Sequence, residues 1–507
     1  MNGELSATLT LPAALPSDAT SAPVALLGVV FDPVTLPQTL QRIEDMIASR
    51  RPHYIATANM DFVVQARADL ELRRILFEAD LVLCDGTPLV WASRLLANPL
   101  PERVAGADMV PELIRVAAEK GYRLFLLGAA PEAAERAVAN LRRQHPNLQI
   151  AGHYSPPFKP LLEMDHDDIN RRIRDAKPDI LLVSFGCPKQ EKWISMNYQS
   201  LNVPVSIGVG ATIDFLGGQM KRAPRWMQRS GLEWVYRLMQ EPRRLFKRYA
   251  VDMGVFGTQF LCQWFRSSAV WLRDRERGCA GTMRTHNWQH VGLPAHFDVE
   301  AVRLNGSVLK QAIDGTRHCL LDLRQVKFID STGIAALMHL QRALRKDSRT
   351  LVLLAPSRSV RNELEFMRLT EFFRIAETLD EAQRIKDSLQ QEKAAPVVGQ
   401  NPIVWRGEIT VTNADEVLTL SERCLLAASE KVKVDLSQVR FIDSTGAAAM
   451  RRLCSTAVRA GRQVVFTGMS PAVLSVLRCC RIDPTVAARA AKTHAVHNGE
   501  PERAFAE

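Results

Sequence analysis

The sequence Leu321-Asp-Leu-Arg-Gln-Val-Lys-Phe-Ile-Asp-Ser-Thr-Gly333 occurs again, 113 residues later, as Val434-Asp-Leu-Ser-Gln-Val-Arg-Phe-Ile-Asp-Ser-Thr-Gly446. Ten of the thirteen positions are identical. Agreement of this extent at one fixed offset indicates an internal duplication rather than chance. The second half of the chain therefore holds two homologous modules.

The residues around each copy predict the same order of elements. An apolar strand precedes the repeated Phe-Ile, a helix follows Asp-Ser-Thr-Gly, and one more strand and helix come after it. The strands are predicted at 319–323, 350–354, 432–436 and 463–467, and the helices at 334–344, 360–368, 447–460 and 472–480. We predict two small α/β sandwiches, over 290–392 and 403–490, joined by a linker at 393–402.

Strands and helices alternate through residues 25–250. Strands are predicted at 25–30, 54–58, 81–84, 123–127, 179–185 and 205–208, with helical periodicity between them, as at 40–47 and 109–118. This alternation predicts a mostly parallel, Rossmann-like α/β sheet. Ligands of such sheets bind at the carboxyl ends of the strands.

Length and composition place the chain among multidomain globular proteins. It has 507 residues, of which 47% are apolar and 24% charged. These fractions exclude a largely disordered or collagenous chain. The ends differ: residues 1–24 are predicted to be a disordered tail, and residues 491–507 a flexible one. No run of 18 apolar residues occurs, so no transmembrane helix is expected.

The net charge of +10 is concentrated in one window. Nine Lys and Arg residues and two Glu residues lie between Lys221 and Arg248. Such a window suits nucleic acid, an anionic membrane or a phosphorylated substrate. Nucleic acid is the least favoured, because no recognised nucleic-acid-binding fold accompanies the charge.

The nine cysteines form no CxxC pair. Their odd number and spacing argue against a disulfide framework and against a zinc site. A reducing, cytoplasmic location is therefore expected.

Residues 251–289 form an amphipathic segment between the two halves. Aromatic and aliphatic side chains alternate there with Arg266, Arg273, Arg275 and Arg277. Two interpretations stay open at this point: a helix packed on the preceding domain, or an interfacial helix on a membrane surface.

A series of polar motifs follows the predicted strands of the first half. It consists of Thr57-x-Asn59, Asp85-Gly86, Arg103-Val-Ala-Gly-Ala-Asp108, Leu127-Gly128, Pro188-Lys-Gln-Glu191, Gly208-Val-Gly210, Arg222-Ala-Pro224 and Glu233-Trp-x-x-Arg237, with Arg244 and Arg248 beyond. In order and spacing this series resembles the WecG/TagA/CpsF family of bacterial N-acetylmannosaminyl- and related hexosyltransferases, over about residues 26–249.

The resemblance implies an enzyme of cell-surface polysaccharide synthesis. Such enzymes move a hexosyl group, N-acetylmannosamine-like or glucose-like, from a UDP-sugar to a polyprenyl-diphosphate-linked saccharide. The reaction takes place at the inner face of the cell membrane, with inversion at the anomeric carbon and without a metal or other cofactor. In agreement, the sequence shows no convincing DxD motif.

An inverting transfer needs one carboxylate to accept the proton of the acceptor hydroxyl. Asp85 lies on a strand-end turn and matches the base that the resemblance implies. The position by itself favours an Asp that caps a helix or closes a turn.

Further candidates for substrate binding come from the same motifs: Thr57, Asn59, Arg103, Asp108, Gly128 and Gln190. Each also has a purely structural interpretation. Thr57 and Asn59 fit a strand-end turn, Arg103 and Asp108 an ion pair, and Gln190 the protein surface. Gly128 and the residues after it resemble a strand-to-helix diphosphate turn.

Without a metal, the leaving diphosphate needs positive charge from the protein. Arg237, Arg244 and Arg248 are spaced to share roughly one helix face, and guanidinium groups bind phosphate through paired hydrogen bonds. We assign them to the diphosphate of the UDP-sugar or of the lipid; a solvated basic face is the alternative.

The Phe-Ile-Asp-Ser-Thr-Gly repeat resembles the loop of STAS domains, the fold of anti-sigma factor antagonists. The resemblance implies that Ser331 and Ser444 can be phosphorylated by a partner Ser kinase, or can contact an anti-sigma-like protein. The alternative is that these serines cap their helices. The leading hypothesis is thus a membrane-associated glycosyltransferase regulated or scaffolded by STAS domains, against an inactive signalling scaffold.

Overall fold

A computed structural model of the chain describes residues 22–218, 223–224, 226–227, 232–240, 242–268, 281–284, 288–392, 402–427, 431–480 and 482. The predicted tails therefore lie outside the described residues, apart from residues 22–24, and so does all but residue 402 of the predicted linker 393–402.

The N-terminal domain, residues 22–268, is built on a parallel sheet. Its strands are β1 Val24–Leu26, β2 Val29–Phe31, β3 His53–Ala58, β4 Leu81–Cys84, β5 Arg123–Gly128, β6 Gln149–Tyr154, β7 Ile180–Ser184 and β8 Val205–Gly208. Its helices are α1 Leu36–Ser49, α2 Met60–Ala68, α3 Leu70–Glu78, α4 Thr87–Leu95, α5 Gly106–Lys120, α6 Pro131–Gln144, α7 His166–Ala176, α8 Lys189–Leu201, α9 Thr212–Leu216, α10 Glu233–Gln240 and α11 Pro242–Ser268, with a 3₁₀ turn at Leu161–Glu163.

Six of these strands pair in the order β4-β3-β8-β7-β5-β6, all parallel. Apolar clusters cover both faces, as a parallel sheet requires. The α/β fold class is thus confirmed. The edge strand β6 was not predicted, because residues 149–154 are only partly buried and lack an apolar pattern.

Residues 24–31 form an antiparallel hairpin rather than the predicted single strand. Leu27 and Gly28 both have positive φ, which suits a two-residue turn. Val24, Leu26 and Phe31 pack into the core of the N-terminal domain, whereas Ala25 and Val30 pack into the core of the first module. The hairpin therefore joins two hydrophobic cores, and burial on both faces explains its continuous apolar sequence.

The first module contains β9 Gly281–Arg284, β10 Trp288–Gly292, β11 His296–Phe297, β12 His318–Asp322, β13 Phe328–Ile329, β14 Leu351–Leu354 and β15 Arg374–Ala376. Its helices are α12 Val299–Leu304, α13 Gly306–Asp314, α14 Ser331–Lys346, α15 Arg358–Phe366 and α16 Leu379–Glu392, with a 3₁₀ turn at Thr370–Phe372. A mixed sheet of order β15-β14-β12-β10-β9 forms its centre. Because β9 and β10 belong to this sheet, the module begins earlier than the predicted residue 290.

The second module contains β16 Ile403–Ile409, β17 Lys431–Ile442 and β18 Gln463–Thr467, with α17 Ala414–Ala427, α18 Ser444–Arg459 and α19 Pro471–Cys479. Its strands pair in parallel in the order β16-β17-β18. The long β17 covers the positions that β12 and β13 occupy in the first module, in keeping with the duplication.

In both modules the helix of the repeat begins at the serine. The N-cap residues are Asp330 and Asp443, whose carboxylates accept hydrogen bonds from the backbone N–H groups of Gly333 and Gly446, both at 2.8 Å. The alternative that the serines cap their helices is therefore wrong. Burial raises the pKa of both aspartates to about 7.

Helix α11 runs without interruption across the predicted boundary at residue 250. Phe256 and Phe260 are buried in the core of the N-terminal domain, and the Gln263 side chain bonds Leu27 N and Ala25 O of the hairpin. The packed-helix interpretation of this segment is thus correct for one face of α11. The remaining part of the predicted segment lies largely outside the described residues.

Candidate active site

A cavity of about 340 Å³ opens at the carboxyl end of the parallel sheet, between β3, β4, β7 and β8 and helices α10 and α11. The sequence-predicted residues that line it are Thr57, Asn59, Asp85, Gln190, Arg237 and Arg248. This is the sheet edge at which ligands of such folds bind.

Asp85 follows β4 directly, and its carboxylate accepts a hydrogen bond from Gly106 N at 3.3 Å. Burial raises the pKa of Asp85, and the positive charges of Arg237 and Arg103 oppose that rise. A carboxyl group that is partly desolvated yet kept ionisable by nearby guanidinium groups can accept a proton.

Arg103 and Asp108 do not line the cavity. Arg103 binds Asp108 at 2.6 Å and Glu233 at 2.9 Å, so the ion-pair interpretation describes the contact that the structure shows. Through Glu233, Arg103 ties α10 to the strand ends. Its charge reaches the site electrostatically, by acting on Asp85.

Thr57 and Asn59 line the cavity and also hold its walls. The Thr57 hydroxyl donates to Gly208 O at 2.8 Å, which links β3 to β8. The Asn59 side chain accepts from Phe62 N at 3.3 Å and caps α2. The strand-end interpretation is correct for these contacts, and it is compatible with a role toward substrate.

Gln190 is buried, contrary to a surface position. Its Oε1 accepts hydrogen bonds from Gly186 N at 3.2 Å and from Gly210 N at 3.1 Å. The loops after β7 and β8, both part of the cavity wall, are therefore held together by one side chain. Its Nε2 donates to Glu191 Oε1 at 2.7 Å.

Gly128 does not line the cavity, but the two residues after it, Ala129 and Ala130, do. Gly128 has φ +94°, and a Cβ there would overlap the carbonyl oxygen of Ser184. Glycine is required for this close approach. The turn leads into the N-terminus of α6, whose free N–H groups favour an anion.

Arg237 and Arg248 supply positive charge to the cavity from α10 and α11. Arg237 stacks on the Phe215 ring at 5.1 Å and lies 3.6 Å from Glu233. Its buried Nε has no hydrogen-bond partner within the described residues. The backbone of Arg244 belongs to α11, but its side chain lies outside the described residues.

Several residues of the cavity wall were not predicted as site residues, among them Asp61, Asp214, Phe215 and Tyr249. Asp61 follows Asn59 by two residues and Asp214 follows Gly210 by four, so proximity to the motifs was the available signal. Within the described residues, no group of three or more His, Cys, Asp and Glu side chains forms a metal site. Independence from metal stays a prediction.

Ser331 and Ser444 do not belong to this cavity. Both are buried, with 2% and 0% of their surface exposed. The Ser444 Oγ donates to Glu71 Oε2 at 2.8 Å. In the first module, the neighbouring Thr332 Oγ1 accepts from Asn98 Nδ2 at 3.1 Å. Phosphorylation of either serine stays a prediction.

None of the described helices has the length and hydropathy that a bilayer-crossing segment requires.

Comparison with known proteins identifies both halves of the chain. The family model described as "Glycosyl transferase WecG/TagA/CpsF family" matches residues 24–270, and the STAS domain model matches residues 295–382 and 400–496. Two relatives from Staphylococcus aureus, strains MW2 and NCTC 8325 / PS 47, are 31% identical over 238 residues, which are 46% of this chain and 92% of each relative. Both are named N-acetylglucosaminyldiphosphoundecaprenol N-acetyl-beta-D-mannosaminyltransferase.

Solved structures of STAS proteins also match. An anti-sigma-factor antagonist (STAS) domain protein from Planctomyces limnophilus is 20% identical, with a TM-score of 0.21 over 22% of this chain and 99% of its own. The phosphorylated form of the Bacillus cell fate determinant SpoIIAA is 23% identical, with a TM-score of 0.19 over 21% and 99%. Both TM-scores are low, so the STAS assignment rests on the family model. The chain is a glycosyltransferase that belongs to the WecG/TagA/CpsF family and carries two STAS domains behind its catalytic domain.

Proposed function

We propose that this glycosyltransferase moves an N-acetylmannosamine-like hexosyl group from a UDP-sugar to a polyprenyl-diphosphate-linked saccharide, with inversion. One observation carries the proposal: the cavity at the sheet edge holds the carboxyl of Asp85 together with the guanidinium groups of Arg237 and Arg248. A proton acceptor and a phosphate-binding pair in one cavity are what this reaction requires.

The chemistry follows from these groups. The acceptor hydroxyl oxygen forms the new bond to the anomeric carbon while the bond from that carbon to the UDP oxygen breaks. The hydroxyl proton passes to the Asp85 carboxylate, and the electron pair of the broken bond leaves with UDP. Arg237 and Arg248 stabilise the negative charge that develops on the diphosphate. No metal or other cofactor takes part in this scheme.

The name of the Staphylococcus aureus relatives supports the acceptor class. Their acceptor is a sugar joined through diphosphate to undecaprenol, according to that name. The basic residues of α10 and α11 suit such a diphosphate as well as that of the donor. Arg244 is assigned to the same role from its place on α11.

We further propose that the protein works at the inner membrane surface of a bacterial cell, bound through α11. On this helix, apolar side chains that do not pack on the N-terminal domain recur at helical spacing: Phe246, Met253, Leu261 and Phe265 are 67%, 53%, 51% and 61% exposed. Arg243 and Lys247 line an apolar surface groove together with Phe246. An apolar stripe flanked by cations fits an anionic lipid surface.

A direct assay tests the proposed reaction. Purified full-length protein would be incubated with a prenyl-diphosphate–GlcNAc acceptor and a panel of UDP-sugars, and UDP release and lipid product would be measured together. The expected result is transfer from the N-acetylmannosamine donor without added metal and in the presence of a chelator. Transfer from no donor, even with membranes and other lipid-linked acceptors added, would favour an inactive scaffold instead.

A further inference from the structure

Helix α3 of the N-terminal domain lies between the two STAS domains. Phe77 packs edge-on against Phe372 of the first module, with ring centroids 5.4 Å apart. Arg74 lies 4.2 Å above the Phe441 ring of the second module and pairs with Glu408 there. The catalytic domain thus offers one helix to both modules.

The repeated Asp-Ser-Thr-Gly loop of the second module meets this helix at Glu71. Ser444 donates both its backbone N–H and its hydroxyl to the two carboxylate oxygens of Glu71. Both residues are almost fully buried, at 0% and 2% exposed. Because Ser444 is the first residue of α18, the Glu71 carboxylate also sits at the positive end of that helix.

Glu71 connects this contact to the catalytic domain. Lys192 Nζ lies 2.8 Å from Glu71 and 2.7 Å from Asp69, and its side chain is only 7% exposed. Lys192 belongs to α8, two residues after Gln190, the side chain that brackets the loops of the cavity. Buried polar contacts therefore join Ser444 to Lys192 through Glu71. The first turn of α8 carries both Lys192 and Gln190, which lines the cavity.

The corresponding loop of the first module makes a different contact. There the buried Asn98 amide donates to Thr332, and to the carbonyl oxygens of Ala22 and Pro23. These bonds join uncharged groups. Among the described residues, a serine of the repeat is paired with a carboxylate only in the second module.

A negative charge at position 444 is incompatible with this arrangement. It would face the Glu71 carboxylate across a hydrogen-bond distance, in a site from which water is excluded, where like charges repel strongly. Asp443 already stands beside Glu71, and burial and that neighbouring charge raise the pKa of Asp443 to about 7.

We propose that the second STAS domain is a regulatory partner of the catalytic domain of its own chain, docked by Ser444 on Glu71, and that negative charge at position 444 releases it. Docking holds Lys192 and α8 in the position that aligns Gln190, so release lowers the rate of transfer. The effect on transfer rests on the function proposed above, whereas the docking does not.

The test uses full-length protein with Ser444→Asp, and Ser455→Asp on the exposed side of the same helix as the matched control. Hydrogen–deuterium exchange of the α3 peptides and the radius of gyration from small-angle X-ray scattering measure docking. We expect the exchange of the α3 peptides and the radius of gyration to rise in Ser444→Asp and to stay unchanged in Ser455→Asp. Unchanged exchange of α3 in Ser444→Asp would overturn the proposal.

A second variant separates release from misfolding. In Glu71→Gln/Ser444→Asp the repulsion is gone and the glutamine amide can donate to the new carboxylate, so docking is expected to return. Exchange that rises throughout β17 and β18, with no rescue by Glu71→Gln, would assign Ser444 to the fold of the module and reject its role in docking.

Transfer kinetics test the coupling. We expect kcat/KM for the UDP-sugar to fall roughly tenfold on release, because a small misplacement of cavity groups is costly, and to recover in the double variant. Release with unchanged kinetics would reject the coupling. If wild-type protein transfers no sugar, the exchange and scattering results still decide the docking, so the two failures are distinguishable.

Discussion

Gln190 donates its side-chain amide to Glu191 at 2.7 Å inside the catalytic domain, and this bond orients the amide that brackets the cavity loops. The other oxygen of Glu191 is buried as well, and the Cys187 thiol lies near this carboxyl group. Burial raises the pKa of Glu191 to about 7. A carboxyl that supports the site is therefore half-protonated near neutral pH.

Glu191 makes stability depend on pH in a defined direction. The folded protein holds this proton up to about pH 7, while the unfolded chain loses it near the ordinary value of 4.5. Stability should therefore fall as pH rises from about 4.5 to 7 and then level off. Asp330 and Asp443 add slopes of the same sign, because their pKa values are also raised to about 7.

Glu191→Gln should reduce the loss of stability between pH 4.5 and 7 by up to about 3 kcal/mol. Glutamine keeps an acceptor oxygen at this position but does not ionise. Thermal unfolding between pH 4.5 and 8 measures the effect, with the exposed Glu112→Gln as control. A variant whose stability falls with pH as steeply as that of the wild type would contradict the assignment.

Asp85→Asn should lower kcat by about 10²–10⁴-fold with little change in the fold, because the amide cannot accept the proton. In the wild type, kcat should rise with pH through a pKa above the usual 3.8 of aspartate, since burial raises the pKa of Asp85. The exposed Asp45→Asn serves as control. Full turnover by Asp85→Asn would exclude Asp85 as the base.

Arg237→Gln should raise KM for the UDP-sugar by about 10–100-fold, the range for loss of a charge-assisted phosphate contact. The same substitution removes a charge that lowers the pKa of Asp85. The acidic limb of the kcat profile should therefore move to higher pH. A purely structural role would leave that limb in place, and the exposed Arg142→Gln should change neither quantity.

Gly28→Ala should destabilise the protein by more than the backbone strain of an alanine at positive φ. A Cβ at Gly28 would overlap the Met367 carbonyl oxygen of the first module, and φ is +91°. Gly218→Ala is the matched control, because φ there is +71° and no atom lies within 4 Å of the new Cβ. We expect Gly28→Ala to lower Tm and to reduce the free energy of unfolding by more than the contribution of backbone strain, which is about 1–3 kcal/mol. Equal decreases in Tm for the two variants would contradict the close approach of Gly28 to the Met367 carbonyl oxygen.

Replacing Phe246, Leu261 and Phe265 by serine should weaken binding to anionic vesicles at least about tenfold, since each removes apolar area from the lipid contact. The fold should persist, because these side chains are more than half exposed. The control carries serine at Leu95, Phe158 and Leu304, which are 59%, 96% and 63% exposed and lie elsewhere on the surface. Equal co-sedimentation of both triple variants would count against α11 as the membrane contact.

Much of the fold could be read from local sequence. The parallel sheet and the two modules follow from apolar periodicity and from the repeat, and each predicted strand of the sheet lies within one or two residues of its place. The hairpin at 24–31 could not be predicted, because its reversal depends on two positive φ angles and its apolar run reflects burial by a distant module. The serine at which each repeat helix begins was missed because the capping carboxylate is one residue earlier.

The candidate site was predictable where a polar residue directly follows a strand, as Asp85 follows β4. The roles of Arg103 and Gln190 were not, because they depend on contacts with Glu233, Gly186 and Gly210 that only the folded chain forms. Glu71 and Ser444 are 373 positions apart in the sequence, so no local pattern predicts the hydrogen bond between them.

The hairpin of residues 24–31 also constrains how the protein is made. One face of the hairpin packs into the core of the N-terminal domain and the other into the core of the first module. The first module is synthesised much later than the hairpin, because its last strand ends only at residue 376. Until then the nascent catalytic domain displays Ala25 and Val30 as an uncovered apolar surface. Ending translation before the first module would leave that surface uncovered, so we expect the catalytic domain alone to aggregate more readily than the full chain.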